Sequence, residues 1–193
     1  MHLQITGKNF DVGDSFRGYI EDKLKDAVGK HFQHSHDAQV RLHTEGHLYV
    51  ADITVHIAKG MVLKAEGQAD EPYPAFDKAV DKVVRRLDRY KGRLRDAHKR
   101  AEPEGMLIGE QVIDAEETSQ WEDPKGQPLI IAEMETRVET LTVQEAVMKL
   151  DLSDSPAMLF KDRKTDHINM IYRRPDGNIS WVDPSNVKAV ETV

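Results

Sequence analysis

The 193-residue sequence contains no cysteine. Disulfides, thiolate zinc sites, iron–sulfur clusters and cysteine nucleophiles are excluded together, so stability must come from packing. No apolar run approaches the roughly 20 residues of a membrane-spanning helix, and Met1 to Lys8 lack the apolar core of a signal peptide. A soluble, cytoplasmic protein is expected. Aromatic residues are sparse at 6%, and Phe16, Phe32, Phe76 and Tyr90 fall on or beside apolar stripes, which leaves no evident platforms for stacking single-stranded bases. Catalytic signatures are missing too. There is no Gly-x-Ser-x-Gly, no Walker loop and no dinucleotide glycine fingerprint. Adjacent acids such as Glu21 and Asp22 mark a solvated helix face rather than a converging acid and base. Neither an enzyme nor a cofactor is expected.

A surplus of positive charge is also lacking, since the formal net charge is −7. That total averages unlike parts. Residues 1–100 hold 18 Lys and Arg against 15 Asp and Glu, residues 101–136 hold one lysine against ten acids, and the remainder is nearly balanced.

The N-terminal part reads as an α+β domain over residues 1–97. Leu3 and Ile5 alternate with His2 and Gln4 as in a half-buried strand. Asp14 is placed to cap a helix whose apolar positions Phe16, Ile20, Leu24, Val28 and Phe32 recur every four residues. Strands follow at Val40 and Leu42, at Tyr49 to Ile57 on alternate positions, and at Met61, Leu63 and Ala65, with Lys59-Gly60 at hairpin spacing. Arg41, His43, Asp52, Thr54, His56 and Lys64 occupy the polar face. A second helix starts at Pro74. Its core line is Phe76, Val80, Val83, Leu87 and Leu94, flanked by Val84 and Tyr90. The order β-α-β-β-β-α predicts two helices on one face of a four-stranded sheet.

Residues 98–128 lose periodicity and are acidic, which predicts a flexible linker. Residues 129–193 predict a small β-α-β-β-β domain: a strand at Leu129 to Met134, a helix opened by the capping-box pair Thr142 and Glu145, and strands around Met158 to Phe160, Ile168 to Tyr172 and Ile179 to Val182. So small a unit with apolar residues on both strand faces is expected to complete its core by self-association.

The strongest chemical signal is on the second helix. Residues 78–100 hold ten Lys and Arg against three acids. Lys78, Lys82, Arg85, Arg86, Arg89 and Arg93 gather within an arc of about 100°, where like charges repel. A solvated face is the ordinary reading of a charge run, but salt-laced helices mix signs. A one-sign stripe about 20 Å long fits a polyanion backbone. Recognition would run through shape and phosphate, as on a folded RNA. His31, His34 and His36 cluster after the first helix; ordinary loop histidines, a phosphate-facing surface and a metal site are open, although the spacing is no familiar zinc arrangement. Phe160 fits a core position and a two-fold interface equally well, and Met158, Met170, Ile171, Tyr172 and Trp181 read as core with an interface as the alternative.

Three segments carry a further signal. Ile5-Thr6-Gly7-Lys8-Asn9-Phe10, the run from Ala65 to Asp70 into Tyr73-Pro74-Ala75-Phe76-Asp77-Lys78-Ala79-Val80-Asp81-Lys82, and Leu87-Asp88-Arg89-Tyr90-Lys91 resemble the N-terminal domain of ribosome hibernation promoting factors. Leu141 to Met148, Phe160-Lys161, Ile168 to Arg174 and Asp176-Gly177-Asn178 resemble the second domain of that family's long form, also called sigma-54 modulation proteins. The resemblance implies a non-enzymatic translation silencer of stationary-phase bacteria. Its first domain would occupy the tRNA and messenger channel of the small ribosomal subunit, against 16S ribosomal RNA. Its second would homodimerise and join two 70S ribosomes into an inactive 100S particle. Carried onto this chain, the ribosome-facing residues are Lys78, Lys82, Arg85, Arg86, Arg89 and Lys91, with Lys8, Arg17, Lys23 and Lys30 secondary. The dimer contact falls on Phe160, with Met158, Met170 and Tyr172; Ala157 and Met158 depart from the more aromatic stretch usual before Phe160. The alternative from a different class is a general structured-RNA or regulatory binding module.

Overall fold

The structure, a computed structural model, describes residues 2–8, 11–31, 37–58, 61–97, 103–113 and 130–186. Its first unit is β1 (His2–Lys8), α1 (Asp14–Gly29), β2 (Asp37–Glu45), β3 (Leu48–Ala58), β4 (Met61–Ala69) and α2 (Pro72–Ala97). The sheet runs β1-β2-β3-β4. β1 lies parallel to β2, which α1 permits by crossing over between them, and the other neighbours are antiparallel. One sheet face is sealed: Val40, Leu42, Ala51, Ile53, Val55, Ile57, Leu63 and Ala65 are buried together with Phe16, Ile20, Leu24 and Val28 of α1 and Phe76, Val80, Val83, Leu87 and Leu94 of α2. The expected apolar lines are thus the core, and Arg41, His56 and Lys64 lie exposed on the opposite face.

Two starts differ from expectation. Gly13, not Asp14, is the residue before α1, and no side chain caps its first turn; Asp14 instead sits inside that turn, where its charge favours the helix dipole. α2 begins at Pro72, two residues before Pro74, because proline also suits the first position of a helix. Phe32, His34, His36 and the Lys59-Gly60 pair lie outside the described residues.

Gly67 explains how α2 sits so low on β4. A Cβ built on Gly67 would lie 2.2 Å from the Ala75 carbonyl oxygen and 2.5 Å from the Ala79 amide nitrogen, both main-chain atoms that cannot turn aside. Gly67→Ala is therefore expected to lift the helix, at the upper end of the roughly 1–3 kcal/mol that overpacking costs. Thermal unfolding followed by circular dichroism should show a melting temperature several degrees lower; an unchanged value would contradict this seating.

The second unit comprises β5 (Gly105–Ile113), β6 (Ile130–Leu141), α3 (Val143–Ser153), β7 (Ala157–Asp162), β8 (Ile168–Arg173) and β9 (Ile179–Val182), in sheet order β5-β6-β7-β8-β9. The anticipated β-α-β-β-β unit is present with one strand added. Residues 105–113, assigned to the acidic linker on sequence, form β5, paired antiparallel with β6 from Gly105 opposite Glu139 to Ile113 opposite Ile130. Met106, Ile108 and Val112 are its apolar alternate positions; Glu110 breaks the pattern, and only the distant partner strand supplies the missing hydrogen bonds. Residues 114–129 lie outside the described residues. The capping box forms as expected, with the Glu145 amide donating to Thr142 Oγ1 at 3.2 Å and the Thr142 amide to Glu145 Oε2 at 2.9 Å.

Leu141, Ala146, Leu150, Phe160 and Ile171 form the second core. α3 carries a second apolar side as well: Met148 and Leu152 are buried in the core of the first unit. Part of the apolar surface that pointed to self-association is thus covered within the chain.

Candidate nucleic-acid interface

α2 turns its apolar line to the sheet, and helical periodicity then fixes its cations on the opposite side. Lys78, Lys82, Arg85 and Arg89 are exposed. Lys78 Nζ donates to the Gln68 carbonyl at 2.9 Å and Arg85 Nε to the Asp81 carbonyl at 3.2 Å. These neutral partners leave the positive charges uncompensated, and Lys82 makes no ion pair among the described residues. At 100° per residue, Asp81 and Asp88 lie outside the arc. The result is a row of cations on a rigid helix, open to phosphate oxygens at its N-terminal half.

The expected set divides at Arg86. Its side chain is only 14% exposed: one guanidinium nitrogen donates to the Lys64 carbonyl and another to Asp154 of the second unit. Arg89 Nη1 donates to Asp151 Oδ2 at 2.7 Å, and that carboxylate also accepts from Tyr90 Oη at 3.0 Å and, at Oδ1, from Arg173 Nη2 at 3.3 Å. Burial alone would raise the Asp151 pKa; the hydrogen bonds from Tyr90 and Arg173, with the charges of Arg89 and Arg86, outweigh it and hold the carboxyl below its ordinary value. The same ion raises Arg89. Tyr90 is raised by burial first and by Asp151 next. Sequence reading missed Asp151 and Asp154, since no spacing signal links them to a helix some 60 residues earlier.

Lys91 does not belong to the stripe. It projects about 120° from the arc's edge, on the side of Asp88. There its charge opposes protonation of His31, whose pKa is lowered chiefly by burial. The His31 side chain is only 7% exposed, with Nε2 3.6 Å from Asp88 Oδ1. Among the described residues no group of three His, Asp or Glu is placed to hold a metal ion. Lys8 and Arg17 are exposed. Lys23 is bound to Asp77 at 2.7 Å, a hydrogen bond that raises its pKa, and Lys30 pairs with Asp26 at 2.6 Å. The two paired lysines present less net field than a bare count of cations implies.

In the second unit, alternate positions separate the four residues singled out for pairing. Phe160 is fully buried in the second core, and Met158 packs against it. These two face inward, so the core reading of Phe160 is the one realised within the chain. Met170 and Tyr172 lie on the opposite face. There the strand register sets Leu159 beside Met170, Ala157 beside Tyr172 and Val182 beside Met170. Leu159, Ile168 and Val182 are each about 40% exposed. No sequence signal picks them out, because Met158-Leu159-Phe160 and Met170-Ile171-Tyr172 are each apolar at three successive positions.

Comparison with known proteins agrees with both units. The family model described as sigma 54 modulation protein / S30EA ribosomal protein matches residues 3–95, and that of the family's C terminus matches residues 125–180. A ribosome hibernation promotion factor of Rhizobium meliloti (strain 1021) is 38% identical over 190 residues, covering 98% of this chain and all of that protein. One from Bradyrhizobium diazoefficiens is 36% identical, covering 98% of this chain and 97% of that one. Among solved structures, the Protein Y N-terminal domain of Thermus thermophilus is 27% identical, covering 47% of this chain and 99% of that chain, with a TM-score of 0.43. With both of its folded units matched and close relatives spanning its whole length, the chain belongs to the sigma-54 modulation protein / S30EA ribosomal protein family.

Proposed function

We propose that this protein is a ribosome hibernation factor. Its first unit binds the small ribosomal subunit in the tRNA and messenger channel, against 16S ribosomal RNA, and inhibits translation. Its second unit pairs with a second copy and joins two 70S ribosomes into an inactive 100S particle under stationary-phase or starvation conditions. No reaction is catalysed; the protein acts by occupancy. The observation that carries this reading is the row of uncompensated cations on α2, held outward by a helix whose other side is sealed to the sheet. Support for pairing comes from the open apolar face of β7-β8-β9, because single-chain proteins seldom leave such a face uncovered.

Backbone binding has a salt signature. If about six phosphates are neutralised, affinity should fall on the order of a thousandfold between roughly 50 and 200 mM salt, by analogy with duplex DNA. Sucrose gradients of ribosomes with and without the protein, run across that range, test this. Co-sedimentation indifferent to salt would overturn the electrostatic reading. Competition by naked RNA duplex as effective as that by ribosomes would favour a general structured-RNA binder.

A further inference from the structure

We infer that the second unit is an intramolecular competitor for the RNA-binding face: α3 latches onto α2 through Asp151 and Asp154, so the chain has a closed form, with Arg86 and Arg89 occupied, and an open form that takes RNA. The inference rests on the reading of α2 as the RNA-binding element.

The latch is built like an interior, not like a chance surface contact. Leu152 is fully buried and Met148 nearly so within the core of the first unit. Between this apolar seam and solvent lies Asp151, itself 6% exposed, with three donors: Arg89 and Tyr90 from α2 and Arg173 from β8. A buried carboxylate is tolerated only when paired and hydrogen-bonded in this way. Asp154 follows at the end of α3 in the left-handed conformation (φ 55°), its backbone amide closing the helix on the Leu150 carbonyl and its side chain reaching Arg86. Arg86 is held from the other side by the Lys64 carbonyl.

Carboxylate and phosphate compete here for the same guanidinium donors. Both can accept paired hydrogen bonds from the planar guanidinium fork, so the nitrogens of Arg86 and Arg89 that donate to Asp154 and Asp151 cannot at the same time donate to a backbone phosphate. The competition is intramolecular, which gives the acids a high effective concentration. Lys78, Lys82 and Arg85 lie outside the latch and remain available for a first encounter. Full engagement of the stripe then requires α3 to leave. When a closed form dominates about ten to one, apparent affinity for RNA is about tenfold below that of the open form.

The test uses the full chain. Because the sequence has no cysteine, Asp22→Cys on α1 and Lys164→Cys in the β7–β8 turn supply two unique thiols for a donor and an acceptor dye. Asp151→Asn with Asp154→Asn removes both charges while keeping shape, and asparagine tolerates the left-handed backbone at 154. Energy transfer in the free double variant should fall toward the value seen in wild type saturated with small ribosomal subunits, and affinity for those subunits should rise about tenfold. Asp154→Asn alone, at an exposed helix end, should move both readouts in the same direction by less, which covers any folding defect from the buried site. Transfer unchanged by the variants, or unchanged in wild type on adding subunits, would overturn the latch; so would a variant that opens without binding more tightly. Lys78→Glu with Lys82→Glu separates the premise. These should abolish binding and leave transfer in the free chain as it was. Should they bind normally, the RNA reading of α2 fails and the competition falls with it, while transfer still reports the docking itself.

Discussion

Reversing Lys78, Lys82 and Arg85 to Glu together is expected to abolish co-sedimentation with ribosomes, a loss on the order of a thousandfold or more at about 100 mM salt. The three residues are exposed on the N-terminal half of α2 and hold no carboxylate of their own. Each reversal removes one phosphate partner and places a repelling charge there instead, so the change in local charge is six. Glutamate is as good a helix former as lysine or arginine, and the core side of α2 is untouched. Circular dichroism should therefore be unchanged, as should the oligomeric state. Arg86 and Arg89 are the wrong choice for this experiment, because their loss would disturb the contact with Asp154 and Asp151 at the same time. A triple variant whose affinity stays within a few-fold of wild type would remove α2 from the interface.

The second large effect concerns pairing. Leu159→Glu with Met170→Glu places two carboxylates directly opposite each other on the open face of β7-β8, where they repel across the strands and also forbid burial against another copy. Analytical ultracentrifugation should shift from dimer to monomer. On gradients, 70S binding should persist while the 100S particle disappears. Dimers surviving the double substitution would exclude this face. Phe160→Ala makes a poorer probe, because the ring is sealed inside the second core. Its truncation should cost about 3–5 kcal/mol in that small unit, and any lost dimer would then reflect unfolding.

Legibility in the sequence followed the range of the interactions. The apolar and cationic sides of α2 were both readable, because each repeats every three to four residues and the two periodicities reinforce one another. The capping box at Thr142 and Glu145 was readable for the same local reason. Strand β5 was not: Gly105, Gly109, Glu110 and Gln111 dilute its alternation, and it is a strand only because β6 lies against it. In Met158-Leu159-Phe160 three successive apolar residues hide which one faces inward, and only the register against Asn169, Met170 and Ile171 decides. Asp151 shows the limit most sharply, since its partner Arg89 is 62 residues away. On sequence it was one more acid on a short helix; its role exists only where two separately folded units meet.

Strand β5 changes the span of the molecule. A connector of residues 98–128 could separate the two units by about 100 Å when stretched. With 105–113 zipped into the second sheet, only seven residues stand between Ala97 at the end of α2 and Gly105, and they can bridge at most about 28 Å. The open face of β7-β8-β9 is thereby kept on a short leash from α2, so that under the proposed function the spacing of two joined ribosomes would be set by the chain itself. Segment 114–129, where most of the remaining length resides, adds nothing to that reach because both of its ends belong to the same two-stranded ladder.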